Sequence, residues 1–293
     1  MSSVLYDSPG PLARRRELVG SIVGVLILLG LVGLGLWYAA QRGVFDADRW
    51  DVLYDPPKNQ TAANVWRSLL VQGLGATLRA AVFAAPLALF LGLLLALWRT
   101  ARLRWLRVPA IAAIELFRGL PVLLMMFFGF LALGMPAFQA VVFGLVIYNM
   151  AIFAEILRAG LASLPKGQAE AAYAVGLTRS QTLMSVLLPQ AVRTMMPSLI
   201  AQLVVLLKDS SLGFIIGYAE LLKSIQNNSQ YFGPQYLVAL FTVGASIYLV
   251  VNLSLSWLAR WLERRTSRTS APARDAEMVA MQASGSGIVS ADT

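Results

Sequence analysis

The chain has 293 residues, 58% of them apolar and only 13% charged, with a net charge of +9 and neither Cys nor His. Average soluble domains carry about 25% charged residues, so a water-exposed globule is excluded. The missing thiols and imidazoles likewise exclude disulfides, His or Cys metal sites and histidine acid–base chemistry. The long apolar runs do not alternate as barrel strands do, which leaves an all-α membrane protein.

In chain order, residues 1–17 form a basic terminus with Arg14, Arg15 and Arg16, and an apolar run follows at 18–40. A removable secretory signal also starts this way. This run is too long for one, however, and Tyr38-Ala39-Ala40-Gln41 is a poor cleavage site, so a retained span is expected. Gly20 and Gly24, four apart, permit close helix packing. Residues 41–67 carry Asp46, Asp48, Asp51 and Asp55 and read as a loop. Further apolar runs occupy 68–98, 109–133, 137–157, 191–217 and 236–259, each about the 20 residues that cross a ~30 Å hydrocarbon layer. Six transmembrane helices are predicted, with 68–264 forming the main domain. The polar residues 219–235, including Gln226-Asn227-Asn228-Ser229-Gln230, read as an external loop. The Ser-, Ala- and Thr-rich stretch 265–293 reads as a disordered tail.

The basic residues decide orientation. Arg99, Arg102, Arg104 and Arg107 follow the second run, Lys166, Arg179 and Arg193 lie between the fourth and fifth, and Arg260, Arg264, Arg265 and Arg268 follow the sixth. All fall on one side of a six-span chain, so positive-inside bias places them and both termini in the cytoplasm. Trp37, Trp98, Trp105 and Trp257 near run ends fit an aromatic belt. The positive charge is therefore topological, and nucleic acid is not an expected partner.

The most distinctive stretch lies between the fourth and fifth runs. Gly167 leads to Glu170-Ala171-Ala172, three further residues, Gly176, nine more, and then Val186-Leu187-Leu188-Pro189. Glu and Ala favour helix, Gly176 permits a turn, and Pro189 limits where the next helix begins. This spacing resembles the cytoplasmic docking loop of ABC-transporter permeases, in which it grips a separate ATPase. Together with Arg118-Gly119-Leu120-Pro121, Ala154-Glu155-Ile156-Leu157-Arg158-Ala159-Gly160 and Lys208-Asp209-Ser210-Ser211-Leu212, it is similar to the polar amino-acid permeases of bacterial ABC importers, the glutamate type above all.

The resemblance covers residues 73–264. It implies a five-span permease core preceded by an extra span at 18–40, set in a bacterial inner or plasma membrane. It also implies a second permease copy or related chain, an ATP-binding subunit that holds the ATP and Mg, and an extracytoplasmic amino-acid-binding protein. Gly167, Glu170, Ala171, Ala172, Gly176, Leu188 and Pro189 become the coupling residues. Leu120 and Ser210 stand where that family commonly has Thr, and Val186 where it has Ile.

Charges inside a bilayer cost about 2.5–3.5 kcal/mol at mid-depth and therefore pair or line a cavity. Glu155 and Arg158, three apart, are expected to pair. Arg79, Arg118, Lys208, Asp209 and Ser211 are the candidates for the substrate pathway. Arg118 is placed roughly 13 Å deep and Lys208 roughly 22 Å from the cytoplasmic edge by helical rise. Convergence of Arg79, Arg118 and Lys208 would favour an acidic amino acid. Asn149, Gln190 and Gln202 serve equally as interhelical bridges or substrate contacts.

No Gly-x-x-x-x-Gly-Lys-Ser/Thr loop is present, so ATP hydrolysis is expected on another chain and this one is not an enzyme. An intramembrane hydrolase lacks a nucleophile–base pair. The stronger rival is an ion-gradient carrier, which would show matched interrupted spans and would leave the Glu170 loop without a task. The same importer type with a basic or neutral cargo also stays open.

Overall fold

The computed structural model describes residues 10–267, so residues 1–9 and most of the expected tail at 265–293 lie outside the described residues. Five helices are long and apolar enough to span a bilayer, and a bent pair makes a sixth span if counted as one. In order they are α1 (Pro11–Gln41), α2 (Ala62–Thr100), the bent pair α3 (Arg104–Gly119) and α4 (Val122–Ala132), and α5 (Ala137–Ser163). After these come the short α6 (Lys166–Ala174), α7 (Arg179–Ile216), α8 (Leu221–Phe232) and α9 (Leu237–Ser267).

Helix α1 begins earlier than the apolar run and is buried over 0% of its most apolar window. A helix apolar on all sides suits hydrocarbon on all sides. In contrast, 61% of the corresponding α5 window is buried, which makes α5 the central column. Its neighbours come close because glycine sits at the crossings. A Cβ on Gly144 would meet the backbone N of Met126 in α4 at 2.8 Å, and one on Gly92 of α2 would meet Met150 O of α5 at 2.9 Å. In lipid, where burial supplies no drive between helices, such backbone contact is the main source of adhesion.

The run at 109–133 is not a straight span. Pro121 holds Leu120 in extended geometry (φ −95°, ψ 138°), as a residue before proline prefers, and the axis turns by 103° between α3 and α4. Arg118 therefore ends the first arm, and it is joined through Glu115 to Arg99 in the last turn of α2.

The polar segment 219–235 is also structured. Residues 221–232 form α8, whose Leu221, Ile225 and Phe232 are buried against Val52, Val65, Leu69 and Leu240. The long 41–67 loop thus contributes Val52 and Val65 to a second apolar cluster. Asn228 donates to Ser68 Oγ at 2.8 Å, so the expected solvated loop is in fact a packed cap.

Glu220 anchors that cap. Fully buried, it accepts from the amides of Lys223 at 2.8 Å and Leu222 at 3.0 Å. Burial pushes its pKa from 4.5 up to about 7, against the opposing pull of those amides. Between these values the folded chain holds a proton that the unfolded chain has lost, so stability falls as pH rises through the window. The loss amounts to roughly 3 kcal/mol at most. Thermal unfolding of detergent-solubilised protein from pH 4.5 to 8 is expected to show this decline, and Glu220→Gln to flatten it.

Candidate functional site

Helix α6 lies between α5 and α7 in the chain. Gly176 closes it with φ +84°, its amide bonding Tyr173 O at 2.9 Å while the Leu177 amide bonds Ala172 O at 3.1 Å. This is a Schellman end, which requires the left-handed residue that glycine supplies without strain. Gly167, Glu170 and Ala171 are exposed, whereas Ala172 is buried at 6% and seats the helix on the body. Tyr173 and Val175 are also exposed, Val175 at 77%. The sequence reading missed both. Large apolar side chains left bare on a water-facing helix are the signal that would have found them.

Thr178 and Gln181 then form a capping box that starts α7. Proline was expected to set the start of this helix at residue 189. Instead the helix runs from Arg179 through Pro189, because a π-helical stretch at Thr182–Leu187 absorbs it. Wider i→i+5 pairing relieves the carbonyl that the proline ring would strike and the donor it lacks. Leu188 is half-buried and Pro189 exposed along one continuous rod. Gln190 donates to Gln168 Oε1 at 3.3 Å and ties α7 to α6. Farther along, Gln202 donates to the buried Asn149 at 2.8 Å and ties the rod to α5.

At the far end of the rod, Lys208 lines a groove of about 340 Å³ with Val204, Val205, Ser256 and Arg260, between α7 and α9. Asp209 is half-buried beside it. Ser211 donates to Lys208 O at 2.7 Å but opens on a separate cleft with Phe241 and Tyr248. Arg79 is exposed near Tyr218. Lys208 and Arg118 thus stand in different surroundings, Lys208 in the α7–α9 groove and Arg118 beside Glu115.

Arg118 belongs to a charge network. It pairs with Glu115, Glu115 lies 4.0 Å from Arg99, Arg99 binds Glu155 at 3.0 Å, and Glu155 binds Arg158 at 2.6 Å. Three arginines and two glutamates alternate, joining the ends of α2, α3 and α5. Arg99 was read from sequence only as an orientation signal, because its partners lie 16 and 56 positions away in the chain.

Residues 88–268 match the family described as the binding-protein-dependent transport system inner membrane component. The chain is 45% identical, over 76% of its own length and 82% of the relative's, to the glutamate transport system permease protein GluD of Corynebacterium glutamicum. It is 35% identical to the glutamine transport system permease protein GlnP of Escherichia coli K12, over 67% of this chain and 92% of the relative. A solved structure described as an amino acid ABC transporter with histidines superposes with a TM-score of 0.63 at 31% identity, covering 70% of this chain and 97% of that one.

Glu155 is the central carboxylate of the network, so Glu155→Gln leaves Arg99 and Arg158 facing each other. It is expected to lower stability by roughly 1–3 kcal/mol. Arg158→Gln, at the exposed end, should cost less than half as much. Thermal unfolding of the two variants in detergent checks the order.

Proposed function

Because this chain belongs to the family of binding-protein-dependent transport system inner membrane components, we propose that it is the permease subunit of an ATP-driven bacterial importer of glutamate or aspartate. The carrying observation is the 45% identity to a glutamate permease over 82% of that protein's length. The cationic groove formed by Lys208 and Arg260 is chemically suited to a carboxylate-rich cargo. A glutamine importer is the second reading, favoured by the 35% identity to a glutamine permease.

In this reading α6 and both termini face the cytoplasm, and the outward side of α6 seats in a separate ATP-binding subunit that holds the ATP and Mg. Glu170, Ala171, Tyr173 and Val175 form the docking surface. Ala172 and the Gln168–Gln190 bond pass the displacement to α7. From Arg179 to Asp209 that rod measures roughly 45 Å at 1.5 Å per residue, long enough to move Lys208 and Asp209 when the lever is pushed. A second permease copy or related chain completes the pathway, and an extracytoplasmic binding protein delivers the amino acid. Arg118 serves the charge network and lines the lever-side mouth of the pathway, with Arg79 at the opposite end near Tyr218. An ion-gradient carrier would leave the exposed lever without a load.

Two measurements test this in a complex reconstituted with its ATPase and binding protein. Glu170→Lys, which reverses charge on the docking surface, should reduce uptake at least about tenfold, the scale of one lost charge contact, with membrane levels unchanged. Unchanged uptake would refute the lever. Excess unlabelled glutamate should suppress labelled glutamate uptake while arginine does not, and inhibition by glutamine alone would transfer the assignment to the second reading.

A further inference from the structure

A cleft of about 470 Å³ lies where the α2–α3 turn meets the first turn of α7, within the ~300–1,000 Å³ range of small-ligand sites. Arg102 and Arg179 line it, with hydroxyls from Thr100, Thr178 and Ser180 and an apolar wall that includes Leu183. No carboxylate lines it. Neither arginine makes an ion pair among the described residues, whereas Arg99, three positions before Arg102, is fully engaged by Glu155 and Glu115.

Two guanidinium groups without a carboxylate partner, from segments about 77 positions apart, line one cleft and suit an anion held between them. The level of the cleft identifies which anion. Trp98 and Trp105 bracket the α2–α3 turn and are 43% and 69% exposed, the placement of indoles at the headgroup layer. Polar hydroxyls beside an apolar wall match a headgroup that continues into acyl chains. We propose that this cleft holds the phosphate-bearing headgroup of an anionic phospholipid from the leaflet beneath α6, clasped between Arg102 and Arg179.

Occupancy would brace the capped start of α7 immediately after the Gly176 turn, so the lipid would stiffen the joint between lever and rod. The lipid-retention arm of its test needs neither the cargo nor the partner ATPase. The full-length chain in neutral detergent is mixed with phosphatidylglycerol or phosphatidylcholine, and retained lipid is counted by native mass spectrometry. Wild type should retain phosphatidylglycerol with a preference on the order of tenfold. The Arg102→Gln/Arg179→Gln double variant should lose that preference, and the charge-matched Arg104→Gln/Arg107→Gln control should keep it.

Equal retention by the double variant, or equal loss in the control, overturns the assignment. Soluble glycerol phosphate supplies the same phosphate without acyl chains. If it displaces phosphatidylglycerol at equal concentration, the occupant is a free anion and the lipid assignment falls. A double variant that retains lipid normally yet fails to co-purify the ATPase would overturn it in favour of protein docking.

Discussion

Helices immersed in hydrocarbon gain nothing by hiding apolar surface from their surroundings, because the surroundings are equally apolar. What holds this bundle is the distance at which backbones can approach α5. Gly144 brings α4 to its first face and Gly92 brings α2 to its second. The buried Asn149–Gln202 bond fixes α7 to a third. A side chain at either glycine would force an entire helix outward. Every functional placement inherits that geometry, since the groove at Lys208 and the charge network at Glu155 are positioned by helices that lean on this one column.

Polar interactions then act at the ends of the bundle, where water begins. On the lever side five charges alternate across three helices. On the opposite side the Leu221 amide donates to Thr77 and Asn228 donates to Ser68, stitching α8 to α2, while Glu220 caps α8 itself. Exposed pairs of this kind contribute little individually. The network is different because each glutamate sits between two arginines. Its members therefore register three helices against one another, whichever pair is taken first.

Much of the architecture could be read from the residues, and the exceptions share a cause. Hydrophobic length located the spans, and Glu170, Ala171 and Gly176 marked the short helix α6 and the turn that ends it. Proline acts differently at its two positions. At 121 it breaks the helix and turns the axis by 103°, whereas at 189 the helix passes through it by widening to a π-turn. Local sequence does not distinguish these outcomes, because the difference lies in what each arm packs against. Residues 221–232 misled for the converse reason. Their Asn and Gln content signals a loop, yet Leu221, Ile225 and Phe232 fall on one helical face and find a partner in Val52 and Val65. The role of Arg99 was invisible because its pairing depends on neighbours distant in the chain.

The unbroken course of α7 imposes a condition on length rather than on composition. Successive residues of a helix are rotated by about 100°, so removing one residue between Gln190 and Lys208 would swing the ammonium group about a quarter-turn away from Arg260. Removing four would restore most of the angle but shift it along the axis by about 6 Å. Insertions and deletions in this segment are therefore far more damaging than substitutions, and the bearing of Lys208 relative to the lever is fixed by counting residues.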